Sequence, residues 1–415
     1  MGEGARCACR GARAEVFPRA AGARPRAVPE TRAAGLANTT KAAELMGRAL
    51  ALGAAARRRT PPNPWVGCVI ARDGVIVGEG ATEEPGGAHA EVVALAAAGE
   101  RARGATAFVT LEPCSHHGRT GPCADALLAS GIGRVVVALE DPDPQVRGRG
   151  LDRLRDAGVE VEVGLGAAEA TRSLAPYLQH RTTGRASCLL KTATSLDGRV
   201  AAADGTSQWI TGAEARADAH ELRADSQAIV IGSGTALADR PALTVRGAAG
   251  PSHRAPLRVL LDGRGRVPAD GPLFDAGLAP TLVLTTARAP GPVLDAWRAA
   301  GAKVEIIEAA SDGAGVDPAA ALGLLGRDGV LQAMVEGGST LHGALIAADL
   351  VDHLVAYVSG AVLGADGRAA FGWSGPRTLE DAPRLELLDA RRIGTDVRLD
   401  YVPPREQSRT GSGSS

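Results

Sequence analysis

A histidine, a glutamate two residues on, and two proline-cysteine pairs carry the chemistry most visible in this chain: His89-Ala90-Glu91, Pro113-Cys114 and Pro122-Cys123. One imidazole and two thiolates are three ligands for a catalytic Zn²⁺ that leaves its fourth position to water. The Glu91 carboxylate is spaced to move that water's proton. The set suits hydrolytic removal of ammonia from an amino-bearing carbon of a nucleobase or related heterocycle. The competing arrangement is a closed structural zinc site, with His116 or His117 as the fourth ligand. Structural sites favour four-ligand, cysteine-rich sets, and Glu91 would have no part in one.

The elements that must position these groups follow from the pattern around them. Ala42 to Ala56 reads as a helix, with Leu45, Ala49, Leu52 and Ala56 at helical spacing, stopped by Pro61, Pro62 and Pro64. Two apolar runs, 66–70 and 75–77, flank Asp73-Gly74 and read as a β-hairpin. Helices over Glu91–Ala98, Cys123–Ser130 and Leu151–Ala157 alternate with strands over Thr106–Thr110, Arg134–Leu139 and Val159–Val163, which argues for a layered α/β domain with a partly parallel sheet. Cys114 then follows a strand, and Cys123 opens a helix whose dipole favours a thiolate. Residues two apart on an ideal helix point to different sides. His89 and Glu91 therefore converge only through an irregular first turn, which Pro85-Gly86-Gly87 permits.

Composition bounds the partners. The 415 residues are 45% hydrophobic, enough for two domains, and the net charge of −1 gives no general pull toward nucleic acid or acidic membranes. Aromatics make up 3%, with no basic-aromatic stripe for a polynucleotide. Six cysteines do not make a disulfide scaffold, and no apolar run reaches 18 residues, so a reducing cytoplasm is expected. Cys68 and Cys188 lie in apolar runs and read as buried thiols. Residues 1–40 hold seven arginines, no serine and no apolar periodicity, and they read as disordered, as does the tail from Pro403 to Ser415.

A mostly polar, partly helical stretch from Gly166 to Ala186 reads as a connection to a second α/β set. That set has strands over 187–191, 228–231, 257–261, 281–285, 304–307, 333–335 and 353–358. Two strand-to-helix turns there, Gly232-Ser-Gly234-Thr235 and Glu336-Gly-Gly-Ser-Thr340, offer backbone N–H groups to a phosphate, although neither completes a dinucleotide fingerprint. Taken alone, each is more often an ordinary tight turn. Lysine occurs only at 41, 191 and 303, which singles out Lys191.

Eight residues separate the two cysteines, and that gap is more specific than the ligand set. The run Thr110-Leu-Glu-Pro-Cys-Ser-His-His-Gly-Arg-Thr-Gly-Pro-Cys123 resembles the bifunctional riboflavin-biosynthesis deaminase/reductase family. So do Pro62-Asn-Pro-Trp-Val-Gly-Cys-Val69, Asp141-Pro-Asp-Pro-Gln-Val-Arg-Gly-Arg-Gly-Leu151, Ser195-Leu-Asp-Gly-Arg199, Ser207-Gln-Trp-Ile-Thr211, Gly234-Thr-Ala-Leu-Ala-Asp239 and Glu336-Gly-Gly-Ser-Thr-Leu-His342. The resemblance runs from about Lys41 to Val402 and implies a cytidine-deaminase-like three-layer domain over 41–184. A dihydrofolate-reductase-like domain over 185–402 would follow.

The resemblance implies that His89, Cys114 and Cys123 bind zinc and that Glu91 carries the proton. It sets Asn63, Arg119, Asp141 and Asp143 around a phosphoribosylaminopyrimidine. It also gives NADPH the contacts Ala193, Trp209, Thr235 and Asp239, with the turn Gly338, Ser339, Thr340, Leu341, His342, Gly343 and Ala344. Lys191, Ser207, Arg223, Leu243, Arg246 and Glu336 would surround the second substrate. A core tryptophan is the plainer alternative for Trp209, and solvated arginines for Arg264 and Arg266 as readers of the 2′-phosphate. Asp197, Asp239 and Glu336 stand as possible proton donors for the reduction.

The family usually has proline where Gly121 stands and asparagine where Asp143 stands, so Asp143 replaces an amide donor with an acceptor-only anion. Its plainer alternative is a turn residue in a proline-rich loop. The expected enzyme deaminates 2,5-diamino-6-ribosylamino-4(3H)-pyrimidinone 5′-phosphate and then reduces its ribosyl chain to ribityl. It is expected to be a homo-oligomer acting on small molecules, with neither nucleic acid nor membrane as partner.

Overall fold

In the computed structural model the described residues are 30–116, 121–247, 255–310, 313 and 315–404, with side chains described from Thr40 onward. Arg119, His117, residues 1–29 of the expected N-terminal extension and residues 405–415 of the tail lie outside them. The first helix, α1 (Glu30–Ala56), starts inside the stretch expected to be unstructured rather than at Ala42. Between Thr31 and Thr39 the chain has no proline, so nothing in its propensities stops the helix from continuing.

The first α/β set continues with β1 (Gly67–Arg72), β2 (Val75–Ala81), α2 (Ala90–Ala98), β3 (Thr106–Val109), α3 (Cys123–Ala129), β4 (Arg134–Val137), α4 (Arg149–Asp156), β5 (Glu160–Val163) and α5 (Ala167–Thr183). Its five strands lie in the order β2-β1-β3-β4-β5. Asp73 and Gly74 both have positive φ, 51° and 75°, the type I′ geometry that suits a two-residue hairpin. β1 is antiparallel to β2 and β3, while β3, β4 and β5 are parallel.

That topology gathers the chemistry. The start of β1 pairs with the ends of β2 and β3, and β4 runs beside β3 in the same direction. The loops carrying Asn63, His89, Cys114 and Asp141 therefore leave one end of the sheet. Close approach of α2 to β2 needs Gly80, because a Cβ there would stand 2.4 Å from the Ala90 carbonyl oxygen. The core joins Trp65, Ile70, Val109, Leu127, Val137 and Leu154 to Leu174 and Tyr177 of α5. Cys68 and Cys188 are buried free thiols, as expected.

The second set comprises β6 (Ser187–Thr194), β7 (Arg199–Ala201), α6 (Ala213–Ala224), β8 (Ala228–Gly232), α7 (Ser233–Asp239), β9 (Leu257–Leu261), β10 (Thr281–Thr285), α8 (Gly291–Ala299), β11 (Lys303–Ile306), α9 (Pro318–Arg327), β12 (Gln332–Gly337), α10 (Ser339–Ala347), β13 (His353–Val358), β14 (Arg368–Ala369), β15 (Glu386–Ile393) and β16 (Asp396–Val402). The large sheet has the order β11-β10-β9-β8-β12-β6-β13-β16-β15. It is parallel through β13, and β16 and β15 then pair antiparallel at its edge. Alternate residues go to opposite faces. Leu190 and Val230 join the cluster of Leu322, Leu325 and Leu345, from α9 and α10. Leu189 and Met334 face Ala215 and Ala219 of α6, and Ile229 faces Trp297 of α8.

The two sets are packed together. Leu331, at the entry to β12, belongs to the core of the first set. Arg57 donates to Gln332 Oε1 at 2.8 Å, and Arg58 binds Asp225 at 2.5 Å and Glu221 at 2.7 Å across the junction. The stretch expected as a polar connection is one 17-residue helix, α5, whose His180 ring nitrogen lies 3.0 Å from the Gly326 carbonyl oxygen.

Candidate functional sites

His89 is the N-cap of α2, with extended backbone (φ −77°, ψ 161°), while Glu91 lies in the first turn. The imidazole is thus freed from helical direction, which lets the two side chains converge as the spacing required. Cys123 is the first residue of α3, and its N–H donates to Cys114 Sγ at 3.4 Å. His89 Nδ1 lies 3.2 Å from Cys123 Sγ and 3.6 Å from Cys114 Sγ. Donors about 2.0–2.3 Å from a tetrahedral zinc stand roughly 3.5–3.8 Å apart, so the three atoms fit one ion. Among the described residues no fourth ligand joins them, and His116 is exposed.

Electrostatics agree with this reading. The hydrogen bond from Cys123 drives the Cys114 thiol well below its usual pKa, against its burial and with help from His89. The same contact, with burial, pushes Cys123 up. Zinc ligation requires both sulfurs as thiolates, so binding the ion would release any proton left on the pair. Burial lifts the Glu91 carboxyl to about 7, and the Cys114 charge adds to the effect. A carboxyl poised there can both take and return a proton.

Glu112, inside the cysteine-bearing run, was missed by sequence reasoning. Its carboxylate accepts from the N–H groups of Asp141 (3.2 Å), Gly148 (3.0 Å), Gly150 (2.9 Å) and Leu151 (3.4 Å). It therefore fixes the 141–151 loop beside Cys114. Gly150 is required there, since a Cβ would stand 1.9 Å from the Pro113 carbonyl oxygen. Asp141 is buried and accepts from Asp143 N and Tyr177 Oη, both at 2.9 Å. Asp143 Oδ1 accepts from Gln145 N, the local bond of a turn residue, and Asn63 closes a turn on the Thr60 carbonyl oxygen at 2.8 Å.

In the second set the two glycine turns meet. β8 and β12 are parallel neighbours, and a Cβ on Gly337 would stand 2.8 Å from Thr235 Oγ1 of α7. Gly338 has φ 95°, and no heavy atom lies within 4 Å of a Cβ placed on Gly234, so this side of the turns is open. Backbone donors beside open glycine turns fit a dinucleotide phosphate. Ser339, Thr340 and Ala344 are half-buried or exposed, and Leu341 packs at the edge of the core. His342 and Gly343 are buried instead. His342 sits beside Phe371, and Gly343 faces Gly372 and Trp373 too closely for a Cβ, so these two support the turn from behind.

Trp209 is not a core residue: it is 69% exposed, with Arg216 stacked 4.5 Å from its ring. Burial pushes the Asp239 carboxyl upward, with the Ser207 hydroxyl opposing the shift. Ala193 is half-buried two positions beyond Lys191 on β6, where alternation gives both the same face.

Lys191, Glu336 and Arg223 share the α6 face of the sheet. Arg223 binds Glu336 through Nε and, at 2.6 Å, through Nη2, and donates Nη1 to the Thr244 carbonyl oxygen at 2.9 Å. Its fork is therefore engaged by Glu336. Burial lowers the pKa of Lys191, opposed by Glu336, and its ammonium lies 5.8 Å from the Tyr357 ring. Leu243 has positive φ (50°) and is buried, while Arg246 is exposed with its N–H on His220.

Asp197 holds the Ser195 hydroxyl and the N–H groups of Leu363 and Gly364, which keep its carboxyl down at about 2. An anion that acidic is a poor proton donor. Arg264 and Arg266 are both exposed, and Arg266 reaches Ser233 at the start of α7.

The fold and sites thus define a zinc-dependent pyrimidine-deaminase half joined to a reductase half. Residues 39–139 match the cytidine and deoxycytidylate deaminase zinc-binding region, and residues 186–399 match the RibD C-terminal domain. The riboflavin biosynthesis protein RibD of Escherichia coli is 43% identical over 86% of this chain and 98% of its own length. The chain belongs to the RibD family of bifunctional riboflavin-biosynthesis deaminase/reductases.

The RibD structure from Acinetobacter baumannii superposes with a TM-score of 0.79 at 36% identity, covering 88% of this chain and 100% of that one. A Thermotoga maritima diaminohydroxyphosphoribosylaminopyrimidine deaminase/5-amino-6-(5-phosphoribosylamino)uracil reductase gives 0.77 at 30% identity over the same shares.

Proposed function

We propose that the first half deaminates 2,5-diamino-6-ribosylamino-4(3H)-pyrimidinone 5′-phosphate and that the second reduces the ribosyl chain of its product to ribityl. The observation that carries the reading is the three-ligand set His89, Cys114 and Cys123, with Glu91 buried beside it. His89, Cys114 and Cys123 would hold zinc, which when bound would supply a water with its pKa lowered toward neutrality. Glu91 takes the proton of that water as its oxygen adds to the amino-bearing ring carbon. Glu91 then returns the proton to the amino nitrogen, the C–N bond breaks, and ammonia leaves. Asn63, Asp141 and Asp143 border the ring and its sugar phosphate.

In the second half Thr235, Ala193, Trp209 and the turn from Gly338 would hold NADPH, which when bound would supply the hydride. Lys191, Ser207, Leu243, Arg246 and the Arg223–Glu336 pair hold the sugar in position for reduction at C1′. Asp239 is the best supported of the three proton-donor candidates. Glu336 is kept ionised: burial opposes this, but the charge and hydrogen bonds of Arg223 outweigh it. Among the described residues no helix is long and apolar enough to cross a membrane. Our reading includes a cytoplasmic homo-oligomer whose partners are small molecules.

The test is to incubate purified protein with the diaminopyrimidine phosphate, with and without NADPH, following ammonia and NADPH separately. Ammonia should appear in both arms, and NADPH oxidation only after it. Glu91→Gln should keep its zinc and lose ammonia release by about 10²–10⁴-fold. Retained turnover in that variant would remove Glu91 from the mechanism.

A further inference from the structure

Asp141 and Asp143 bring two carboxylates to the loop where the first half takes a phosphorylated, anionic substrate. One helix, α5, answers both. The Tyr177 hydroxyl donates to Asp141 Oδ2 at 2.9 Å, and Arg181 Nε lies 3.7 Å from Asp143 Oδ2. Tyr177 and Arg181 stand four positions apart, so they leave the same helix face. The guanidinium lies 5.2 Å from the tyrosine ring centroid, a cation–π contact that holds its position. Arg181 Nε is buried and has no hydrogen-bond partner, since 3.7 Å is too long for one.

The contacts lead back to the metal ligands. Asp143 N donates to Asp141 Oδ1, and Asp141 N donates to Glu112, two residues before Cys114. A bare carboxylate at 143 would repel a phosphate and offer it no donor. A guanidinium beside it offsets that charge.

We infer that Arg181 is a specificity-determining positioning residue of the deaminase site, neutralising Asp143 so that the loop accepts a phosphorylated substrate, while Tyr177 holds Asp141 in place. This rests on the reading that Asp143 borders the substrate. A purely structural tie between α5 and the loop is the alternative, and it predicts no dependence on the substrate's phosphate.

The experiment compares Arg181→Met, Asp143→Asn and the double variant in the full-length zinc enzyme. Ammonia release is followed from the phosphorylated substrate and from its dephosphorylated riboside, with reductase turnover and zinc content as controls for folding. Arg181→Met should raise KM about tenfold for the phosphorylated substrate, as expected for an uncompensated charge near a protein surface, with a much smaller effect on kcat. The riboside should show little of this rise.

In the Asp143→Asn background the same replacement should change KM by no more than about twofold, because the charge it balanced is gone. An equal rise in both backgrounds, or for both substrates, overturns the inference. A shift in KM with Asp143→Asn but none with Arg181→Met overturns it too, while leaving Asp143 at the substrate. No shift in any variant instead removes Asp143 from the substrate site.

Discussion

The two halves hold their polar groups in opposite ways. In the deaminase half, neighbouring chain segments aim donors at one point: His89 leaves a helix cap, Cys123 opens the next helix, and Glu112 fixes the loop between them and Asp141. In the reductase half, charges from distant segments hold one another, with Arg223 of α6 clasping Glu336 of β12 beside Lys191 of β6. The first arrangement is completed by an ion, whereas the second already carries its own counter-charge. Removing a group should therefore cost function in one half and folding stability in the other.

The largest effect tests the first part of that contrast. Cys114→Ser should lower zinc content to a small fraction of one per chain and reduce ammonia release by more than about 10³-fold, since the lowered water pKa is lost. NADPH-dependent reduction of the deaminated substrate by the same protein should survive. Loss of both activities together would break the contrast. Next comes Arg223→Ala, which leaves Glu336 buried without its partner. It should destabilise the protein by about 3–5 kcal/mol, read from chemical denaturation. Arg223→Ala with Glu336→Gln should recover much of that stability but not the reduction.

A pH experiment probes the buried histidine behind the cofactor turn. Burial lowers the pKa of His342 to about 4, while the unfolded chain takes up that proton near 6.5. Its contribution to stability is thus complete above pH 6.5 and is lost as pH falls toward 4. Thermal midpoints should drop across that window, and His342→Leu should flatten the drop. An identical profile in both proteins would rule His342 out as its source.

The smallest effect concerns the junction. Arg58 binds Asp225 and Glu221, which flank Arg223 on the last turn of α6. Arg58→Ala should cost about 1 kcal/mol or less, because the pair is part-exposed, and should raise the reductase KM about two- to fivefold without changing the deaminase KM.

The same contrast explains what could be read in advance. Metal ligands sit within short motifs, so spacing alone gave His89, Cys114, Cys123 and the helix starts beside them. Alternating apolar runs likewise gave the central strands of both sheets. The edge pair β15 and β16 escaped because β15 is exposed nearly throughout and shows no alternation of burial, although Gly394 marks its turn. α5 looked like a polar connection, yet Ala170, Leu174 and Tyr177 recur at helical spacing and pack inward. Arg181 was invisible for a different reason: its partner lies 38 residues away, and only the folded loop brings Asp143 to it. Engagement of Arg223 by Glu336, 113 residues apart, is a fact of sheet order in the same sense.

Leu331 gives the junction a consequence for synthesis. It fills the deaminase core, yet it leaves the ribosome long after the last deaminase strand, β5, has been made. The emerging deaminase half must wait through most of the reductase sequence with an apolar gap in its interior, and exposed apolar surface of that kind invites aggregation. A chain truncated after α5 would keep every zinc ligand and still lack the plug. Expressed alone, that half should need an added apolar cap or a chaperone to stay in solution.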